Sequence, residues 1–213
     1  MNIALFGASG MIGRRILDEA LERGHRVRAI VRDPSRLEDR PEGLTVEVGD
    51  ILDPASVAEA ASGCGAVVSA FGVRADQGPG AVARAARALI AGLKDGGPRR
   101  LIFVGGSGSL EVAPGTWVLD VPHFPPALRP IALDHAHALE VFRKEGQALE
   151  WTYFSPAAMI HPGERTGRFR LGGDRLVADA QGDSRISAED YAVALLDELE
   201  NPRHVRKRFT IGY

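Results

Sequence analysis

The residues best placed to do chemistry come first in the chain. Phe6-Gly7-Ala8-Ser9-Gly10-Met11-Ile12-Gly13 stands between a strand-forming run and a helical pattern. At this spacing each glycine has a separate task. Gly7 permits a tight turn, Gly10 lets a pyrophosphate approach the backbone, and Gly13 lets helix and strand pack closely. The helix that follows would offer unpaired amides and its positive dipole end to phosphates. With a strand before and a helix after, the context that such a pattern needs is present, and residues 7–13 are expected to bind a nicotinamide dinucleotide. Which dinucleotide is expected to be set at the end of the second strand, where an acid bonds the ribose 2′-hydroxyl of NAD and an arginine accommodates the 2′-phosphate of NADP. Val31 is followed there by Arg32, Asp33 and Pro34, with Arg36 beyond. Arg32 occupies the acid's place, and Arg14 on the first helix is a second candidate. The charge pattern favours NADP(H) over NAD(H), with Asp33 still able to bond a ribose.

Candidates for the reacting end are fewer. Gly105-Gly106-Ser107-Gly108-Ser109 closes the fifth strand, beside the expected nicotinamide. Ser107 or Ser109 can bond a carboxamide or a substrate carbonyl there, and the same run also reads as a polar glycine loop with no catalytic role. His161 follows the sixth strand. It reads either as a hydrogen-bond donor or general acid near neutral pH, or as a structural histidine bonding backbone. His135 and His137, two apart on a helix, point in different directions and read as solvated side chains rather than a metal pair. No metal site is expected. Cys64, the single cysteine, sits in a turn, permits no internal disulfide, and reads as a small packing residue. A Gly-x-Ser-x-Gly nucleophile elbow is absent, because Leu110 follows Ser109.

These residues need a scaffold, and the chain alternates strand and helix patterns from its first residues. Strands are expected at 2–6, 27–31, 44–48, 66–70, 101–104, 151–154 and 208–211. Helices are expected up to about residue 23, from Asp53-Pro54, and over 80–94, 131–144 and 187–200, with a small hairpin around Gly172-Gly173. This order predicts an α/β fold, a Rossmann-like doubly wound parallel sheet with a small C-terminal substrate-capping region. Its 213 residues are read as one domain. Two irregular segments, 110–130 and 156–183, follow C-terminal strand ends and are expected over the substrate site. A formal net charge of −2 gives no basic excess for nucleic acid, and no apolar run approaches the ~20 residues of a membrane helix. A cytoplasmic protein is expected, its oligomeric state undetermined.

The G-x-x-G-x-x-G spacing resembles the extended and atypical short-chain dehydrogenase/reductase families. Their usual Tyr-x-x-x-Lys pair is missing, since Ala157 and Leu195 lie four residues beyond Tyr153 and Tyr191, and Tyr213 ends the sequence. Conventional alcohol dehydrogenase or epimerase chemistry therefore ranks last. Over nearly its full length the chain is similar to NAD(P)H-binding, NADH–flavin reductase-like proteins, a group that includes biliverdin-IXβ reductase and NmrA-like proteins. That resemblance rests on residues 7–13, Gly49-Asp50, Val104-Gly-Gly-Ser-Gly-Ser-Leu110, Phe154-Ser-Pro-Ala157, the segment from His161 to Gly167 and Ile186-Ser-Ala-Glu-Asp-Tyr-Ala192. It implies that Asp50 and Ile51 flank the adenine, that Ala70-Phe71-Gly72 passes the cofactor, and that Pro156 borders it. It also implies Ser107 or Ser109 and His161 in the substrate pocket. Trp117, Phe124 and Phe71 can wall a planar acceptor such as FMN, FAD or a quinone. The NmrA-like likeness implies the alternative, a non-catalytic NADP(H) sensor.

Overall fold

A computed structural model describes residues 1–73 and 77–213. Five parallel strands carry the glycine turn and its surroundings: β1 (Asn2–Phe6), β2 (Arg26–Val31), β3 (Leu44–Val48), β4 (Ala66–Ser69) and β5 (Arg100–Val104). β8 (Glu150–Ser155), β12 (Lys207–Gly212) and β10 (Arg170–Gly172) complete an eight-stranded sheet in the order β10-β12-β8-β5-β4-β1-β2-β3. All neighbours are parallel except β10, which runs antiparallel to β12. The expected hairpin at Gly172-Gly173 is therefore corrected: Leu171 pairs with Ile211 across the sheet edge, a long-range contact that local turn chemistry does not specify.

β4 and β5 are buried along their whole length and β1 everywhere but its first residue, as strands covered on both faces must be. On one face, α1 (Met11–Glu22) and α5 (Ala188–Glu200) bury Ile16, Leu17, Leu195 and Leu196 against Leu5 and Phe154. On the other, α2 (Pro54–Ala61), α3 (Ala81–Leu93) and α4 (Arg129–Glu145) bury Val57, Leu89, Leu139 and Phe142 against Phe6 and Phe103. Aromatic rings stack through the first layer, with Tyr191 on Phe154 at 4.1 Å and Phe154 on Phe209 at 4.0 Å.

Several helix ends follow local rules. Asp53 accepts from Ala55 N–H at 3.0 Å ahead of Pro54, and Ser187 accepts from Asp190 N–H. Gly24, at φ +76°, leaves α1 through the left-handed region. α3 begins differently. Gly80 supplies no side-chain cap, and the buried Asp134 of α4 accepts from Val82 N–H at 2.9 Å and Ala83 N–H at 3.2 Å.

Both irregular segments are more ordered than their composition suggests. Segment 110–130 holds the hairpin β6 (Glu111–Ala113) and β7 (Thr116–Trp117), with Leu119 N–H bonded to Gly108 O at 2.9 Å. Beside and within segment 156–183, β9 (Met159–His161) pairs in parallel with β11 (Arg185–Ser187). This segment is tied to α1 and α5: Arg165 grips the buried Glu19 at 2.7 and 2.9 Å, and Asp190 accepts from Thr166 and Gly167 N–H at 2.8 Å. Among the described residues no helix is long and apolar enough to cross a membrane.

Candidate dinucleotide-binding cleft

The sheet changes direction between β1, from which β2 and β3 lead one way, and β4, from which β5 and β8 lead the other. A crevice forms outside the carboxyl ends of the strands at such a point. Here it is a cleft of about 400 Å³, lined by the glycine turn, the ends of β2, β3 and β4, and the exit of β5.

The turn has the geometry its spacing predicts. Gly7 adopts φ +81°, and a Cβ there would lie 2.3 Å from Ala70 O. A Cβ on Gly13 would lie 2.0 Å from Gly7 O, so only glycine allows α1 this close to β1. Gly10 N–H donates to Gly7 O at 3.0 Å, and Gly10 is the N-cap of α1 without any side-chain cap. The first turn of α1 holds no acidic residue. By contrast, α2 and α5 are capped by their own side chains and α3 by Asp134. The start of α1 therefore faces the cleft with uncompensated amides and dipole, the arrangement that holds a phosphate. Gly7, Ser9, Gly10, Met11 and Ile12 line the cleft, whereas Ala8 and Gly13 are buried behind it.

At the β2–β3 end, Arg32 and Arg36 line the cleft with Asp33, Asp50 and Ile51. Asp33 Oδ1 accepts from Ser35 N–H at 3.1 Å and from Ser35 Oγ at 2.7 Å, which turns this carboxylate oxygen toward its own turn. Asp50 Oδ1 likewise accepts from Leu52 N–H at 2.9 Å. Arg14 stands outside the lining, bonded to Asp18 at 3.1 Å and 3.5 Å from Asp39.

At the β4–β5 end, Ala70, Phe71, Gly72, Val104 and Gly105 line the cleft, joined by His135 from α4. The expectation that His135 and His137 are both solvated is corrected for His135, which is half-buried, whereas His137 is exposed. Positions two apart on a helix face roughly opposite ways, and the apolar Ala132, Ala136 and Leu139 turn the His135 side of α4 inward. Tyr153 Oη donates to His135 O at 2.8 Å and lies 3.3 Å from His135 Nδ1. Burial holds the His135 imidazole down at about 4, against a smaller upward pull from Asp134. It pushes the Tyr153 phenol well above its ordinary range.

The glycines after β5 serve this packing. A Cβ at Gly105 would lie 2.0 Å from Tyr153 Cε1, and one at Gly106 2.9 Å from His135 Cβ. Ser107 and Ser109 do not reach the lining. Ser109 is buried and its Oγ accepts from Arg208 at 2.9 Å, while Ser107 O accepts from Leu110 N–H. His161 is exposed on β9, where Nδ1 lies 3.0 Å from Pro162 O. Pro156 is buried beside Thr210, and neither Trp117 nor Phe124 lines the cleft. Cys64, half-buried with its thiol pushed up by burial, lies elsewhere. Asp134 and His135 had one signal in the sequence, a charged and a polar residue set among small apolar ones in α4.

Residues 7–202 match the model of a family described as NAD(P)H-binding. The chain is 42% identical to the uncharacterized protein YwnB of Bacillus subtilis, across 99% of this chain and 98% of that one. Among solved structures, a "putative exported protein" of Burkholderia pseudomallei is 47% identical with TM-score 0.90, covering 100% of both chains. A "putative epimerase" of Bacteroides thetaiotaomicron is 41% identical with TM-score 0.92, covering 100% and 96%. A "putative NADH-flavin reductase" of Streptococcus pneumoniae is 33% identical with TM-score 0.87, covering 100% and 99%.

Proposed function

The chain belongs to the NAD(P)H-binding family, and from that premise we propose that it is an NADPH-dependent reductase of a planar acceptor such as a flavin or quinone. The observation that carries the cofactor half is the bare N-terminus of α1 above the Gly7–Gly10 turn. The bound nicotinamide would supply the hydride. The chain's own part is to hold phosphates at α1, a 2′-phosphate at Arg32 with Arg36 nearby, and the ring against Phe71, Gly72 and Gly105. Two arginines, Arg32 and Arg36, line that end, which supports NADP(H) over NAD(H).

Hydride transfer between stacked rings asks little of protein acids, which agrees with the missing Tyr-x-x-x-Lys pair. It also favours a reductase over the chemistry suggested by the epimerase-described relative. Ser107, Ser109 and His161 stand off the cleft, so this reading gives them no proton-transfer step. A protein using NADPH works where that cofactor is supplied, so a cytoplasmic location belongs to the same reading, and cell fractionation checks it against export.

The test is absorbance-monitored oxidation of NADPH and of NADH against FMN, FAD, several quinones and biliverdin. Steady turnover with a preference for NADPH is expected. Tight cofactor binding with no turnover across the panel would favour the sensor alternative, and equal use of both cofactors would remove Arg32 as the selector.

A further inference from the structure

We propose that His135 holds the nicotinamide-nucleoside half of the dinucleotide, its Nε2 accepting a hydrogen bond from that half; this rests on the cofactor reading above. The two ends of the cleft differ in chemistry. Arg32 and Arg36 mark the adenosine end, and the α1 amides fix the phosphates in the middle. The remaining half must then run toward the β4–β5 end, where Phe71, Gly72, Val104 and Gly105 form a largely apolar wall beside His135.

The hydrogen bonds around Tyr153 set the imidazole's tautomer. A phenol has one hydrogen, and Tyr153 gives it to His135 O at 2.8 Å. Nδ1, 3.3 Å away, is then assigned the proton that bonds the phenol oxygen, which leaves Nε2 as a bare acceptor. Among the described residues Nε2 has no protein partner, and it is not one of the sealed, unpartnered polar atoms of the interior. Burial keeps the ring neutral, the state in which Nε2 accepts. The nicotinamide nucleoside carries two kinds of matching donor, its ribose hydroxyls and its carboxamide N–H. Tyr153, which touches the ring but does not line the cleft, is a positioning residue.

The experiment is calorimetric binding of NADPH, 2′-phospho-ADP-ribose and 2′,5′-ADP to the unaltered protein, His135→Leu and Tyr153→Phe. His135→Leu is expected to weaken NADPH about fivefold, the weight of one hydrogen bond, and to leave 2′,5′-ADP unchanged. Equal weakening of 2′-phospho-ADP-ribose assigns the bond to the ribose, and weakening of NADPH alone assigns it to the carboxamide. Tyr153→Phe should give a smaller loss in the same pattern. If all three ligands weaken together, or none does, the assignment is overturned while the cofactor reading stands. Failure of the unaltered protein to bind any of them, or NADH, ADP-ribose and ADP in their place, overturns the cofactor reading itself. Imidazole ¹⁵N spectra give a separate readout: a protonated Nδ1 is expected, with an Nε2 resonance that moves on adding NADPH. A protonated Nε2 in the free protein would also overturn the assignment.

Discussion

Gly13 packs against Gly7 so closely that a Cβ on Gly13 would stand 2.0 Å from the Gly7 carbonyl oxygen and 2.8 Å from its carbon. Both atoms are backbone, so nothing flexible can yield. The close approach brings the α1 amides to the mouth of the cleft. Gly13→Ala must push α1 outward, and a cost of about 2 kcal/mol is expected from overpacking. Cofactor affinity should fall at least tenfold, read by calorimetry beside a denaturant melt. Full affinity in the variant would show that the phosphates lie elsewhere.

Arg32 lines the β2–β3 end of the cleft, where the adenosine half is proposed to lie, with Asp33 Oδ1 bonded to Ser35 beside it. Arg32→Glu replaces a cation with a like charge toward a 2′-phosphate. The ratio of NADPH to NADH affinity is expected to drop about a hundredfold, from lost charge-assisted bonds plus repulsion. NADH affinity itself should change little. A parallel fall for both cofactors would remove Arg32 from the selection.

Asp134 connects α4 to the start of α3 through Val82 and Ala83 N–H. Asp134→Ala leaves both buried amides without that partner and should cost about 2 kcal/mol. For a chain of this length the melting temperature should fall by about 6 °C. Asp134→Asn, which keeps one acceptor oxygen, should recover part of it. An unchanged melt would mean that water replaces the carboxylate at no cost.

His135 is held at about 4 in the folded chain, against its ordinary 6.5. Below pH 6.5 the unfolded chain takes up a proton that the folded chain refuses. The stability this histidine contributes is therefore complete above 6.5 and is lost as pH falls toward 4. Because the ring also borders the cleft, about 2 kcal/mol is a fair size for the loss. The lowered carboxyls of Glu19, Glu189 and Glu198 act at lower pH, below their ordinary 4.5. Denaturant melts between pH 7 and 5 therefore stand above the range of those carboxyls. His135→Gln should flatten the slope in that window, and an unaltered slope would assign it to another group.

Residues 7–13, the strand runs around them and the helix ends at Asp53 and Gly24 could all be read in the sequence. Each depends on neighbours within a few positions, where spacing alone sets φ, hydrogen bonds and the buried face. The glycine turn and Arg32 were legible for the same reason, since both are fixed relative to a strand end. The edge pairing of β10 with β12, the Asp134 cap, the Ser109–Arg208 bond and the turning of His135 toward Tyr153 were not. Asp134 caps amides 51 and 52 residues away, and Arg208 reaches Ser109 across 99. Nothing in local spacing says which distant group will satisfy a buried donor; that follows only once sheet order has brought the elements together. Local spacing marks the start of α1 as the place proposed for a dinucleotide's phosphates, whereas only long-range packing brings His135 to the other end of the cleft.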